Sequence, residues 1–217
     1  MGSHYPEGQE PSDEDLQRTF AETVAALRAG GVPFLLMGGL STSAFARPRI
    51  TDDIDVFVRP DQARPTLRVL EAAGFETEEH DERWLFKAFR HGVLVDVIFR
   101  SSGDVYVDDE MLARADVQEH WGVEAPFIAP EDLLVIKAVA ATEHGSHRWY
   151  DALAVIARCP LEWDYLLRRA RSTGPRRILS LLLYAESNDL AVPAEVIETL
   201  FEVVHPTDRP SDTAALA

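Results

Sequence analysis

Residues 36–58 read LMGGLSTSAFARPRITDDIDVFV, an apolar run, a glycine pair, a short polar segment and then two acids flanking one isoleucine. The acid-apolar alternation of DIDVFV predicts a strand, and side chains two apart on a strand share a face. Asp53 and Asp55 therefore point to the same side. Like charges so close repel unless something positive lies between them. Upstream, FLLMGG reads as a buried strand ending in a glycine turn, and LSTSAFA as a short helix stopped by RPR. A third acid, Asp96, is the lone charge of the apolar strand LVDVIF, and a buried aspartate is costly unless paired or metal-bound. Three carboxylates on adjacent strands suit a hard divalent cation such as Mg²⁺. Two such ions can clamp the attacking and leaving oxygens of a phosphoryl displacement. Glycine at Gly38 and Gly39 lets backbone approach a ligand, and the helix after it would aim N–H groups at phosphate oxygens. Ser41, Thr42 and Ser43 offer hydroxyls beside them.

Working outward, Ser12 offers an N-cap with Asp13, Glu14 and Asp15 in the first turn, and helical spacing runs to about Ala29. DQARPTLRVLEAAG predicts a second helix, ended by Gly74, and RWLFKAFRHGVLVDVIFR two strands turning at His91-Gly92. DDEMLARA reads as a short helix and VEAPFIA as an extended piece. From Pro130, followed by Glu131 and Asp132, the periodicity becomes helical, with helices expected near 130–143, 147–158, 162–172, 175–188 and 193–204. The expected architecture is α/β (α+β): a mixed sheet flanked by helices over residues 13–128, then a helical bundle over 129–205. Residues 1–12 and 206–217 are expected to be a disordered leader and tail.

Composition narrows the function. The 217 residues are 46% hydrophobic and 27% charged, an ordinary globular balance. A formal net charge of −16, from 37 acidic and 21 basic residues, argues against broad binding to nucleic acid or anionic membranes. A small local basic site is still compatible with it. One cysteine, Cys159, excludes an internal disulfide framework and fits a reducing cytosol. The polar, acidic start predicts no secretion signal, and the apolar stretch ILSLLLYA is far short of a membrane span. A cytoplasmic location is the expectation.

The apolar-Gly-Gly pattern, the spacer of residues 40–52, Asp-Ile-Asp-Val and the later Asp in an apolar strand resemble the polymerase-β-like nucleotidyltransferase superfamily. RITDDID, with Arg49, Thr51, Asp53 and Asp55, and the downstream PEDLLVIKAVAATEHGSHRWYDALAVI further resemble the bacterial branch holding AbiEii-type toxin and aminoglycoside or lincosamide nucleotidyltransferases. The resemblance implies that Asp53 and Asp55 bind two Mg²⁺ ions, for which Mn²⁺ can substitute. Asp96 would bind the ion activating the acceptor hydroxyl and take its proton. Gly38, Gly39, Ser41, Ser43, Lys137 and Asp151 would form the nucleotide site. Many members carry Gly-Ser where this chain has Gly38-Gly39, so a phosphate-binding hydroxyl would have to come from Ser41 or Ser43. An NTP is the implied substrate, and the acceptor is an antibiotic-like small molecule, tRNA or protein. An antitoxin partner would follow from the toxin-like branch, with the enzyme acting away from any membrane.

Other readings of these residues stay open. Lys137 either contacts the triphosphate or extends to water with its stem buried. Arg148 and Asp151 are spaced to pair along a helix. His144 and His147 share a helix face without an evident third ligand. The basic run RRARSTGPRR, residues 168–177, either receives a phosphate-bearing acceptor or merely balances helix ends. A catalytically silent fold that binds nucleotide or a protein partner is the alternative to an enzyme.

Overall fold

The computed structural model describes residues 11–206. The remaining expected leader and tail residues, 1–10 and 207–217, lie outside them. The first helix, α1 (Asp13–Ala29), begins as its sequence requires: the Ser12 hydroxyl accepts from the Asp15 backbone N–H at 3.1 Å, and the Asp15 carboxylate reaches back to the Ser12 backbone. Leu16, Phe20, Val24 and Leu27 recur at helical spacing and form its buried stripe.

Among the described residues seven strands make one mixed sheet. They are β1 (Leu35–Leu36), β2 (Asp53–Phe57), β3 (Glu76–Asp81), β4 (Leu85–Arg90), β5 (Val93–Ile98), β6 (Asp116–His120) and β7 (Val123–Phe127), ordered β3-β4-β5-β2-β1-β7-β6. β2 pairs in parallel with β5 and antiparallel with β1, so the strand bearing the acid pair lies inside the sheet. Helices α2 (Gly38–Phe45), α3 (Ala63–Ala72) and α4 (Asp109–Ala113) are interspersed. Then α5 (Pro130–Ala140), α6 (His147–Arg158), α7 (Trp163–Ser172), α8 (Pro175–Glu186) and α9 (Ala194–Val204) follow in succession. None of the described helices is long and apolar enough to cross a membrane.

The strand alternation sorts two apolar layers. Ile54, Val56, Val93, Val95 and Val97 pack with α1 and with Leu67 and Leu70 of α3 on one face. On the other, Leu35, Met37, Phe57, Leu85 and Ile98 join Leu133, Leu134, Val155, Ile178 and Leu182 of the later helices. This second cluster runs across position 128, the expected division between the halves.

Three local differences from the sequence reading have plain causes. The glycine pair is not a free turn after β1; it is the first turn of α2, because Gly38 at φ +69 lets the chain enter the helix without an intervening loop. The strands β3 and β6 carry few apolar residues to betray them, since ETEEHD and DVQEH form the two edges of the sheet and stand largely exposed. The helix α5 ends at Ala140, before the expected 143, as Ala141 turns to an extended conformation.

Candidate active site

Because Ile54 and Val56 occupy the α1/α3 face, Asp53 and Asp55 must face the C-terminal helices. The parallel register sets Asp55 level with Asp96 of β5, and the antiparallel β4 sets Lys87 level with Asp96 from the other side. One carboxylate oxygen each from Asp53, Asp55 and Asp96 lies within 4.8 Å of the others. The Thr51 hydroxyl donates to Asp53 Oδ1 at 2.6 Å and orients that carboxylate. Burial, reinforced by the charges of Asp53 and Asp96, pushes the Asp55 carboxyl up to about 7, against the opposing pull of Lys137.

The glycine pair makes room for these acids. A Cβ at Gly38 would stand 1.6 Å from Asp55 Oδ2, and one at Gly39 would stand 2.6 Å from Thr51 Oγ1. The N-terminus of α2, the positive end of its helix dipole, thus abuts the acid cluster directly, and the Gly39 backbone N–H donates to Asp55.

A cavity of about 310 Å³ opens over this arrangement, walled by Gly38, Gly39, Asp53, Asp55 and Asp96 from the sheet half and by Lys137, His147 and Arg148 from α5 and α6. Arg49, Arg100, Ser101, Ser102 and Trp84 also line it, with Met37, Ile98, Ile136 and Ala140 as its apolar part. A second cavity of about 440 Å³ shares Trp84, Arg100, Ser101 and Ser102 with the first and continues to Arg83 and Asp104.

Of the residues expected at the site, six stand on this wall: Gly38, Gly39, Asp53, Asp55, Asp96 and Lys137. The others are placed elsewhere. Ser41 is buried and donates its hydroxyl to the Leu36 carbonyl at 3.0 Å. Ser43 is half-buried and off the wall. Asp151 is fully buried behind it, accepting from Arg47, from Arg49 and from Lys137. Burial opposes its charge, but Lys137 and Arg47 outweigh burial and hold the carboxyl below its ordinary value.

Wall residues outside the expected site include Arg49, from the segment before β2, and Arg100, Ser101, Ser102 and Trp84, from the segments bounding β4 and β5; Lys87 lies off the wall, level with Asp96. The alternation of β4 carried a signal for Lys87, a lone cation in LFKAF. Arg148, spaced to pair with Asp151 along α6, turns instead toward the Ala140 carbonyl and the cavity. Burial, with Arg49 and Arg148 nearby, lowers the His147 pKa. The His144 side chain lies outside the described residues. Within the basic run, Arg168 pairs with Glu110 at 2.7 Å, and Arg169 with Asp108 and Asp132.

The donor set fits a divalent cation. All three candidate ligands are carboxylates, the chemistry Mg²⁺ prefers, and the repulsion that adds to burial in raising Asp55 is what a bound cation would relieve.

A family described as uncharacterised nucleotidyltransferase matches residues 11–187 of the chain. Solved structures that align with it include the antibiotic-resistance factor ANT(2'')-Ia in solution, at 18% identity over 65% of this chain and 84% of that one, with a TM-score of 0.47. The lincosamide antibiotic adenylyltransferase LnuA, lincomycin-bound, aligns at 14% identity over 67% of this chain and 99% of its own, with a TM-score of 0.48. An antigenic nucleotidyltransferase-like protein from Paracoccidioides brasiliensis aligns at 16% identity over 67% and 77%, with a TM-score of 0.47. No curated protein matches the chain.

Proposed function

Since the chain belongs to this nucleotidyltransferase family, we propose that it is a Mg²⁺-dependent enzyme that moves a nucleoside monophosphate from an NTP to an acceptor hydroxyl and releases pyrophosphate. The observation that carries the reading is the meeting, in one cavity, of a three-carboxylate cluster with a wall of Arg49, Lys137, Arg100 and Arg148. Acids that gather cations and bases that gather phosphate are the two requirements of this chemistry.

In this reading Asp53, Asp55 and Asp96 hold the divalent ions. Bound there, Mg²⁺ would neutralise charge at the reacting phosphate and lower the pKa of the acceptor hydroxyl. Asp96 accepts the proton of that hydroxyl. Lys137 and Arg49 donate to the triphosphate, and the backbone at Gly38 and Gly39, both on the cavity wall, approaches its oxygens. The reading gives the phosphate contacts to these groups and leaves Ser41 and Ser43 to the interior of α2. The adjoining cavity beside Trp84 and Arg100 takes the acceptor, which is a small molecule of antibiotic type, tRNA or protein. An antitoxin is the partner expected if the toxin-like resemblance holds.

The test is incubation with each NTP carrying radiophosphorus at the α position, Mg²⁺, and separate pools of tRNA, protein and aminoglycosides, beside Asp53→Ala. Label entering one pool with wild type and not with the variant is the expected outcome and names the acceptor class. Nucleotide bound without label in any pool would favour the silent binding module.

A further inference from the structure

One buried group is not on the cavity wall and yet bonds to two of its cations. Asp151, on α6, accepts from Arg47 Nε and Nη2 at 3.1 and 2.8 Å, from Arg49 Nη1 at 2.6 Å and from Lys137 Nζ at 3.1 Å. Arg47 and Arg49 lie on the irregular strap, residues 46–52, that joins α2 to β2. Pro48 between them keeps the residue before it extended, and positions two apart on an extended chain point the same way. Both arginines therefore reach one carboxylate from a strap distant in sequence. The strap then continues to Thr51, whose hydroxyl holds Asp53.

We propose that Asp151 is a positioning residue: it does not touch the nucleotide, but acts as an internal counter-anion that pre-orders Arg49 and Lys137 for the triphosphate and pins the strap carrying Thr51 and Asp53. The inference rests on the functional reading above. Three cations meet one carboxylate, so the cluster keeps an excess of positive charge. Arg49 and Lys137 carry that excess onto the cavity wall, while Arg47 does not reach it. Without Asp151 the three cations would repel one another, and each long side chain would have to be ordered by the nucleotide itself. That ordering weakens binding by a few-fold to about tenfold per side chain.

The experiment is calorimetric titration of each Mg²⁺–NTP, without acceptor, into wild type, Asp151→Asn, Arg47→Ala, Arg49→Ala and the Asp151→Asn/Arg49→Ala pair, with steady-state KM and kcat beside it. Asp151→Asn is expected to weaken Mg²⁺–NTP by about tenfold to a hundredfold, raising KM more than it lowers kcat. Arg47→Ala is expected to weaken it by a few-fold despite standing off the wall. Arg49→Ala is expected to lose less affinity in the Asp151→Asn background than in wild type, the mark of two residues acting through one another. A merely structural role would shrink the folded fraction and leave the affinity of what remains unchanged. Should Asp151→Asn fail to fold, Arg47→Ala decides, and unchanged affinity there overturns the inference. Unchanged affinity in folded Asp151→Asn overturns it likewise while sparing the functional reading. Wild type that binds no Mg²⁺–NTP overturns both.

Discussion

Asp55 and Asp132 are both acids withdrawn from bulk water, and the chain surrounds them in opposite ways. Asp132, 1% exposed on α5, accepts from the Tyr165 hydroxyl at 2.6 Å and from Arg169 Nε at 2.6 Å. Burial raises its pKa, and Tyr165 and Arg169 work against burial. At Asp55 burial and the neighbouring carboxylates push in the same direction. At Asp132 the helical half supplies the donors from its own side chains. Where the sheet presents the Asp53–Asp55–Asp96 cluster, it sets carboxylate beside carboxylate, a repulsion that the proposed cation would balance.

The comparison makes predictions of opposite sign. Asp55→Asn should cut nucleotidyl transfer by about a thousandfold or more, since it removes a group acting at the reacting phosphate. In the presence of a chelator the same variant should melt higher than wild type, because one of the repelling charges is gone. A lower melting temperature would break the comparison. Asp132→Ala should do the reverse: it strands Arg169 and the Tyr165 hydroxyl, costing about 3–5 kcal/mol in urea unfolding, while folded protein keeps its nucleotide affinity.

The third effect is in pH. Asp55 titrates in the folded chain near 7 rather than at its ordinary 3.8, so the native state binds that proton more tightly than the unfolded state does. Its contribution therefore favours the fold at low pH and is lost as pH rises from about 4 to about 7. In chelator, wild type should lose up to about ten degrees of melting temperature relative to Asp55→Asn across this range, and Mg²⁺ should remove the difference. Parallel profiles in chelator would show that the acids are not in conflict.

The acid cluster was legible because its information is local: the alternation of DIDVFV and the lone Asp of LVDVIF each fix a face without reference to the rest of the chain. The opening of α5 at Pro130 was legible for the same reason. Trp84, Arg100, Ser101 and Ser102 were not, because they sit on connections whose place over the acids depends on how β4 and β5 end. RPR was read as a helix stop, which it is, yet its arginines matter through Asp151, a hundred positions further along the chain. Ser41 misled for the converse reason: a hydroxyl near a glycine pair looks available until the helix turns it onto its own preceding strand. The edge strands β3 and β6 lack the apolar stripe by which a strand announces itself.

The level pairing of β2 with β5 also bears on how the molecule assembles. Were these strands to pair one place out of step, Asp96 and its partners would exchange faces with valines, and a charge would be driven into the dry layer under α1 and α3. That alternative is penalised heavily enough to be discarded during folding. The acids proposed to handle phosphate thus double as register marks, so that a sheet assembled out of step is unstable as well as inactive.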